Sequence, residues 1–277
     1  MKRLKISIII GDEPKFDIDA FKYFILSLNK LQTTYELFFP DSRSYPYPDK
    51  RDKCDFDQSL GIVEQFVKTN KIKADYSICI VTRGFANNYF FNAGDNVAII
   101  TTDVWDKYFS PPSLFEYLMH CIVTCLVYSQ KLPQDRKPSE KALAIEIGSH
   151  KETKGCIADF TRNKCDDRID ILLGYICEDH TNEIKEFYGD NYLAETQQVI
   201  DRKWIGDIEE KGSVAYNLKH VFKFDINRDS GFNKTFLDKI KDKFYEVPGD
   251  VTGEVIKVIL TALVTFLLIK YGIKIAD

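Results

Sequence analysis

Hydrophobic and polar positions alternate between two periods along the first half of this chain. Leu4 to Ile10 is a short apolar run closed by Gly11-Asp12, the pattern of a buried strand. From Asp17 to Leu31 the apolar residues Ile18, Phe21, Phe24, Ile25, Leu28 and Leu31 recur at helical spacing. Tyr35 to Phe39 predicts a second strand, ended by Pro40, and Asp41 to Asp55 an exposed loop. A helix is expected over Gln58 to Lys71, with Leu60, Ile62, Val63, Phe66 and Val67 inward, followed by strands at Tyr76–Val81 and Val97–Thr101. Strands that alternate with helices indicate an α/β fold: a mixed, mostly parallel sheet with flanking helices.

Ser110-Pro111-Pro112-Ser113 opens the next helix, which runs to about Gln130. It is apolar nearly all round, so it should be central and buried. Lys131 to Lys141 reads as a polar loop, and Thr181 to Tyr245 as a charged, mostly helical region with a break near Asp225–Gly231. Charge alternation there fits a solvated face. Pro248-Gly249-Asp250 breaks the chain once more, and no charged residue occurs between Val258 and Ile269. Val255 to Ile275 approaches the roughly twenty residues that a bilayer requires, with lysines 257, 270 and 274 able to reach headgroups. A transmembrane helix over 253–275 is therefore expected; a buried terminal helix or an oligomer seam fits the same run. The expected organisation is an α/β domain at 1–180, a helical region at 181–247 and the membrane helix.

Composition narrows this picture. A net charge of −4 gives no reason to expect nucleic acid as a partner. Apolar residues at 44% and charged ones at 29% suit a globular core. Seven cysteines behind an N-terminus without a signal peptide point to a reducing setting. Together with the terminal helix, this places the soluble part in the cytoplasm and the anchor in the inner membrane.

The candidate chemistry lies between His150 and His180. Cys177 and His180 form a C-x-x-H pair, and His150 precedes Gly155-Cys156 on one loop. His150, Cys156, Cys177 and His180 would make a closed N2S2 tetrahedron that suits structural zinc. The same cysteines also fit a buried thiol core; Cys165, among charges, is the weakest ligand. His120 reads as a hydrogen-bonded core histidine, and Cys121 and Cys125 as inert protonated thiols. The turn Gly84 to Phe91 is a candidate wall of a ligand pocket or a loop packed over the sheet.

A strand, an edge strand at Val97–Thr101, a helix bearing His120, then H-x5-C and C-x-x-H resemble the archaemetzincin zinc peptidases. That resemblance implies a zincin-like core with a zinc-knuckle-like loop. It aligns His150 with the third catalytic histidine, Cys156 and Cys177 with knuckle cysteines, and His180 with the last knuckle ligand. His150 to Asp159, Lys164-Cys165-Asp166 and Cys177 to His180 also resemble an uncharacterised bacterial group carrying H-x-x-T-R-G-C-L-F-D, K-x-D and C-x-x-C. Against the peptidase pattern H-E-x-x-H, Cys121 stands where the general-base glutamate belongs, Thr124 where the second histidine belongs, and Lys151 at the first knuckle position. No catalytic residue is therefore assigned. The expected function is a catalytically inactive, oligomeric membrane effector under the control of a partner or of a small-molecule or nucleotide signal, pore formation in bacterial antiviral defence being one example. The alternative is a membrane-tethered zinc metallopeptidase using His120, His150 and Glu116 or Glu146.

Overall fold

A computed structural model describes residues 2–41, 44–47, 53–103, 105–133, 135–137, 140–141, 144–145, 147–159 and 164–227. In chain order the elements are β1 (Leu4–Ile10), α1 (Ile18–Ser27), β2 (Tyr35–Phe38), β3 (Lys53–Cys54), α2 (Phe56–Thr69), β4 (Tyr76–Val81), β5 (Gly84–Phe85), β6 (Phe91–Ala93) and β7 (Val97–Thr101). There follow α3 (Trp105–Tyr108), α4 (Leu114–Tyr128), α5 (Lys164–Leu173), α6 (Glu178–Tyr188), α7 (Asp190–Ile200) and α8 (Val214–Val221). All described residues belong to the compact unit Met1–Phe232. The expected membrane helix at 253–275 lies outside the described residues, among which no helix is long and apolar enough to cross a membrane.

The main sheet has the order β2-β1-β4-β7-β6, and its first four strands are parallel. Strand period two divides the residues between its faces. Ile6 and Ile8 with Ile78, Ile80 and Ile100 enter one core, while Ile9, Cys79, Val81 and Ile99 meet Val63 and Phe66 of α2 in another. Burial on both faces explains why β1, β4 and β7 read as continuous apolar runs. Local chemistry sets the helix starts: Asp17 accepts hydrogen bonds from the Asp19 and Ala20 amides, and Asp55 from that of Gln58.

Three expectations change. Val97–Thr101 is not the edge strand, because β6 pairs antiparallel to it through Phe91–Ile100 and Ala93–Ala98. A five-residue strand buried throughout has to be covered along both sides, and the aromatic turn folds back to do so. The supposed loops also carry short strands, β3 pairing with β5. Nor do the residues after 180 stand apart: Ile184, Phe187, Tyr188, Tyr192, Val199, Ile200 and Leu218 enter the same core as the sheet. Their charges lie on outer faces, and their apolar stripes point inward.

Helix α4 occupies the middle. Every residue in it except Glu116 and Tyr128 is buried. Ser113 and Glu116 form a reciprocal capping box at its start. At its end the Tyr188 hydroxyl donates to the Val127 carbonyl at 2.8 Å, satisfying a group the helix leaves open. Phe115 packs against Phe16, Phe21, Phe24 and Phe224, with ring centroids 4.4–6.5 Å away. Truncation to Phe115→Ala is expected to cost about 3–5 kcal/mol, seen as a lower urea midpoint; a loss below about 1 kcal/mol would show that α4 is not the centre of the core.

Candidate metal centre and the cleft beside it

The loop from His150 to Asp159 folds around a carboxylate. Asp159 Oδ2 accepts the Lys154 and Gly155 amides, each at 2.7 Å, and the Asp159 side chain is fully buried. Gly155 sits at φ +74, a left-handed conformation that side chains resist, and a Cβ there would run into Leu173. The Ile157 amide then donates to the Tyr175 carbonyl at 2.9 Å, which joins the loop to the chain entering α6. Cys177 is the residue just before α6, where the positive end of the helix dipole favours negative charge.

These connections bring all four predicted ligands together. One ligand atom from each of His150, Cys156, Cys177 and His180 lies within 4.8 Å of the others. Cys177 Sγ is 3.5 Å from His150 Nε2 and 3.1 Å from His180 Nδ1, and Cys156 Sγ is 3.6 Å from His180 Nδ1. A tetrahedral centre with bonds of about 2.3 Å to sulfur and about 2.0 Å to nitrogen has sulfur–nitrogen edges of about 3.6 Å. The spacing fits a metal ion.

The tautomers fit as well. His180 Nε2 lies 2.7 Å from the Gly148 carbonyl, which only accepts, so Nε2 carries the proton and Nδ1 turns its lone pair to the sulfurs. His150 Nδ1 lies 2.9 Å from the Glu152 carbonyl and 3.1 Å from Asp159 Oδ1, leaving Nε2 free toward Cys177. Orientation of each imidazole from its far side is the usual support of a metal site. The Cys177 amide, 3.3 Å from Cys156 Sγ, adds a hydrogen bond that stabilises a thiolate. In this cluster burial opposes charge on His180, but the Gly148 carbonyl, Cys177 and Glu183 outweigh it and raise its pKa.

His120 stands apart from this group. It lines a cavity of about 720 Å³ bounded by β6 and the preceding turn, by α4, by α5 and by the clip loop. From the Gly84 to Phe91 turn, Asn87 to Phe91 form one wall of this cavity. Ser149, Ile157 and Asp159 form another, so the metal cluster and the cavity share a loop. His120 is buried, yet its ring makes no hydrogen bond to any described residue, contrary to the expectation of a hydrogen-bonded core histidine. Burial, helped by Arg202, lowers its pKa to about 4, so the ring is neutral.

Among the described residues, the groups named for the peptidase alternative do not gather around one point. Thr124 Oγ1 donates to the His120 carbonyl at 2.9 Å, and the Cys121 and Cys125 thiols are held protonated by burial. Glu116 is engaged by Ser113 and by Arg202 Nη1 at 3.0 Å, so it does not turn toward an ion at His120. Glu146 lies outside the described residues, as does the side chain of Cys165 in α5. Sequence reasoning missed Asp167 and Asp170, one turn apart on α5 and both lining the cavity. Their i,i+3 spacing was visible, but not the face they would present.

No protein-family model matches the chain. No curated protein matches it. Among solved structures, the chain is similar to the archaemetzincin of Methanopyrus kandleri. The identity is 13% and the TM-score 0.41, over 72% of this chain and 97% of that one.

Two outcomes are expected. Asp159→Ala should lower metal affinity about 10–100-fold in competition with a chromophoric chelator; unchanged affinity would remove Asp159 from the support of the site. Because His120 is held below its unfolded value of 6.5, the unfolded chain takes up its proton first on acidification. The contribution of neutral His120 to stability is thus whole above pH 6.5 and is lost as pH falls through about 4, by roughly 3 kcal/mol. Denaturation of His120→Gln over this range should show a shallower acid loss than the wild type; parallel curves would contradict a buried neutral ring.

Proposed function

We propose that this chain is a non-catalytic binding protein on a zincin-like scaffold, in which zinc at His150, Cys156, Cys177 and His180 locks one wall of a ligand cleft. The carrying observation is the convergence of two thiols and two imidazoles, one ligand atom of each within 4.8 Å of the others; four such donors would fill a tetrahedral zinc site and leave no position for a reacting water. The departures on α4 support the same reading, since Cys121 and Thr124 replace the groups that would activate water. The cavity, at about 720 Å³, falls within the range of small-molecule sites. In this proposal the uncharged run from Val258 to Ile269 anchors the domain to a membrane.

Metal analysis by mass spectrometry tests the reading. One zinc per chain is expected in the wild type and in His120→Ala, and none in Cys177→Ser. Fluorogenic peptides should remain uncut at every zinc concentration. A metal that disappears with His120, or chelator-sensitive cleavage, would instead establish a peptidase site on α4. Recovery of the full chain wholly in the aqueous fraction without detergent would exclude the anchor.

A further inference from the structure

Helix α4 presents two polar side chains to the cavity whose hydrogen-bonding capacity is not used up. His120 and Thr124 both line it, and their i,i+4 spacing sets them one turn apart on the same face. They are 8% and 6% exposed. The His120 ring has no hydrogen-bond partner among the described residues, although a polar ring buried this far normally finds one. Burial keeps the ring neutral, with its pKa lowered to about 4, so one ring nitrogen donates and the other accepts. Thr124 Oγ1 gives its hydrogen to the His120 carbonyl at 2.9 Å and is left able only to accept. The carboxylates on the cavity wall are occupied: Asp159 Oδ2 holds the Lys154 and Gly155 amides, and Asp167 and Asp170 each have an interaction of their own. The open capacity on α4 is thus an uncharged donor beside an uncharged acceptor. Nearby walls are aromatic: Phe90 meets Phe109 edge to face at 5.3 Å, and Phe91 stacks with Tyr128 at 6.5 Å.

We infer that this cavity binds a flat, uncharged heteroaromatic lactam, a ring N–H beside a ring carbonyl, whose edge meets Thr124 and His120. The inference rests on the reading of the cleft as a binding site and names its ligand class. The ring N–H donates to Thr124 Oγ1, and the carbonyl accepts from the His120 ring N–H. Adjacent atoms of one ligand so satisfy both open groups, and in surroundings drier than bulk water these bonds are stronger than in solution. The aromatic walls take the body of the ligand, edge to face or stacked. A cavity of about 720 Å³ has room for two fused rings.

Isothermal titration of the zinc-loaded full chain with carbostyril and with coumarin provides the test. Coumarin is the lactone of the same two rings, with a ring oxygen in place of the N–H. Carbostyril is expected to bind at least about tenfold more tightly, because the lactone oxygen would face the Thr124 lone pairs with no hydrogen between them. Thr124→Val keeps the shape of the side chain and should abolish that preference. His120→Phe should weaken carbostyril at least about tenfold while zinc content stays at one per chain. Equal affinity for the two probes, preference for coumarin, or no binding of carbostyril would overturn the inference. So would a preference that survives Thr124→Val, or an affinity unchanged in His120→Phe. If either variant fails to fold, the preference of the wild type decides alone. Failure of carbostyril to bind, with zinc intact and peptides uncut, would leave the non-catalytic reading standing; peptide cleavage in the same sample would end that reading independently.

Discussion

A helix without a polar face has to be covered on every side, and this requirement organises the described structure. Leu114 to Tyr128 offers water almost nothing, so the sheet, α1, α5 and α7 all close around it. Its polar ends are settled by neighbours: Ser113 and Glu116 at the start, the Tyr188 hydroxyl at the end, and Arg202 bridging Glu116 to the Leu172 carbonyl. Burying the helix offsets the ordering of elements that are far apart in sequence.

The cover is incomplete along one stripe, and the cavity lies there. His120, Cys121, Thr124 and Tyr128 fall at intervals of one, three and four residues, so they share a face of α4. Opposite that face stand a three-residue edge strand, the acidic side of α5 and the clip loop. The loop from His150 to Asp159 is anchored in the core by Cys156, Ile157 and Ala158. Its shape comes as well from Asp159 holding two amides, from Gly155 at positive φ, and from the gathering of four ligand atoms within 4.8 Å of one another. A metal would close the loop through the N-terminus of α6 and so hold one cavity wall in place. The cluster and the cavity thereby share one loop.

Much of this was legible from residues alone. Periodicity located β1, β4, β7, α1, α2 and α4, because strands buried on both faces and helices with apolar stripes leave distinct repeats. Spacing and residue type selected His150, Cys156, Cys177 and His180 as soft and borderline ligands in pairs, although a buried thiol core fitted the same cysteines. The departure of Cys121 and Thr124 from the peptidase pattern is likewise written in the residues themselves.

What the tertiary structure alone decided was adjacency. The edge position of Phe91–Ala93, the entry of the residues after 180 into the common core, the isolation of His120 from the metal cluster, and the lining of one cavity by Asp167, Asp170 and His120 all depend on contacts between distant segments. Local sequence carries propensity, period and ligand chemistry. It does not carry which faces meet, because that follows from burying all the apolar stripes at once.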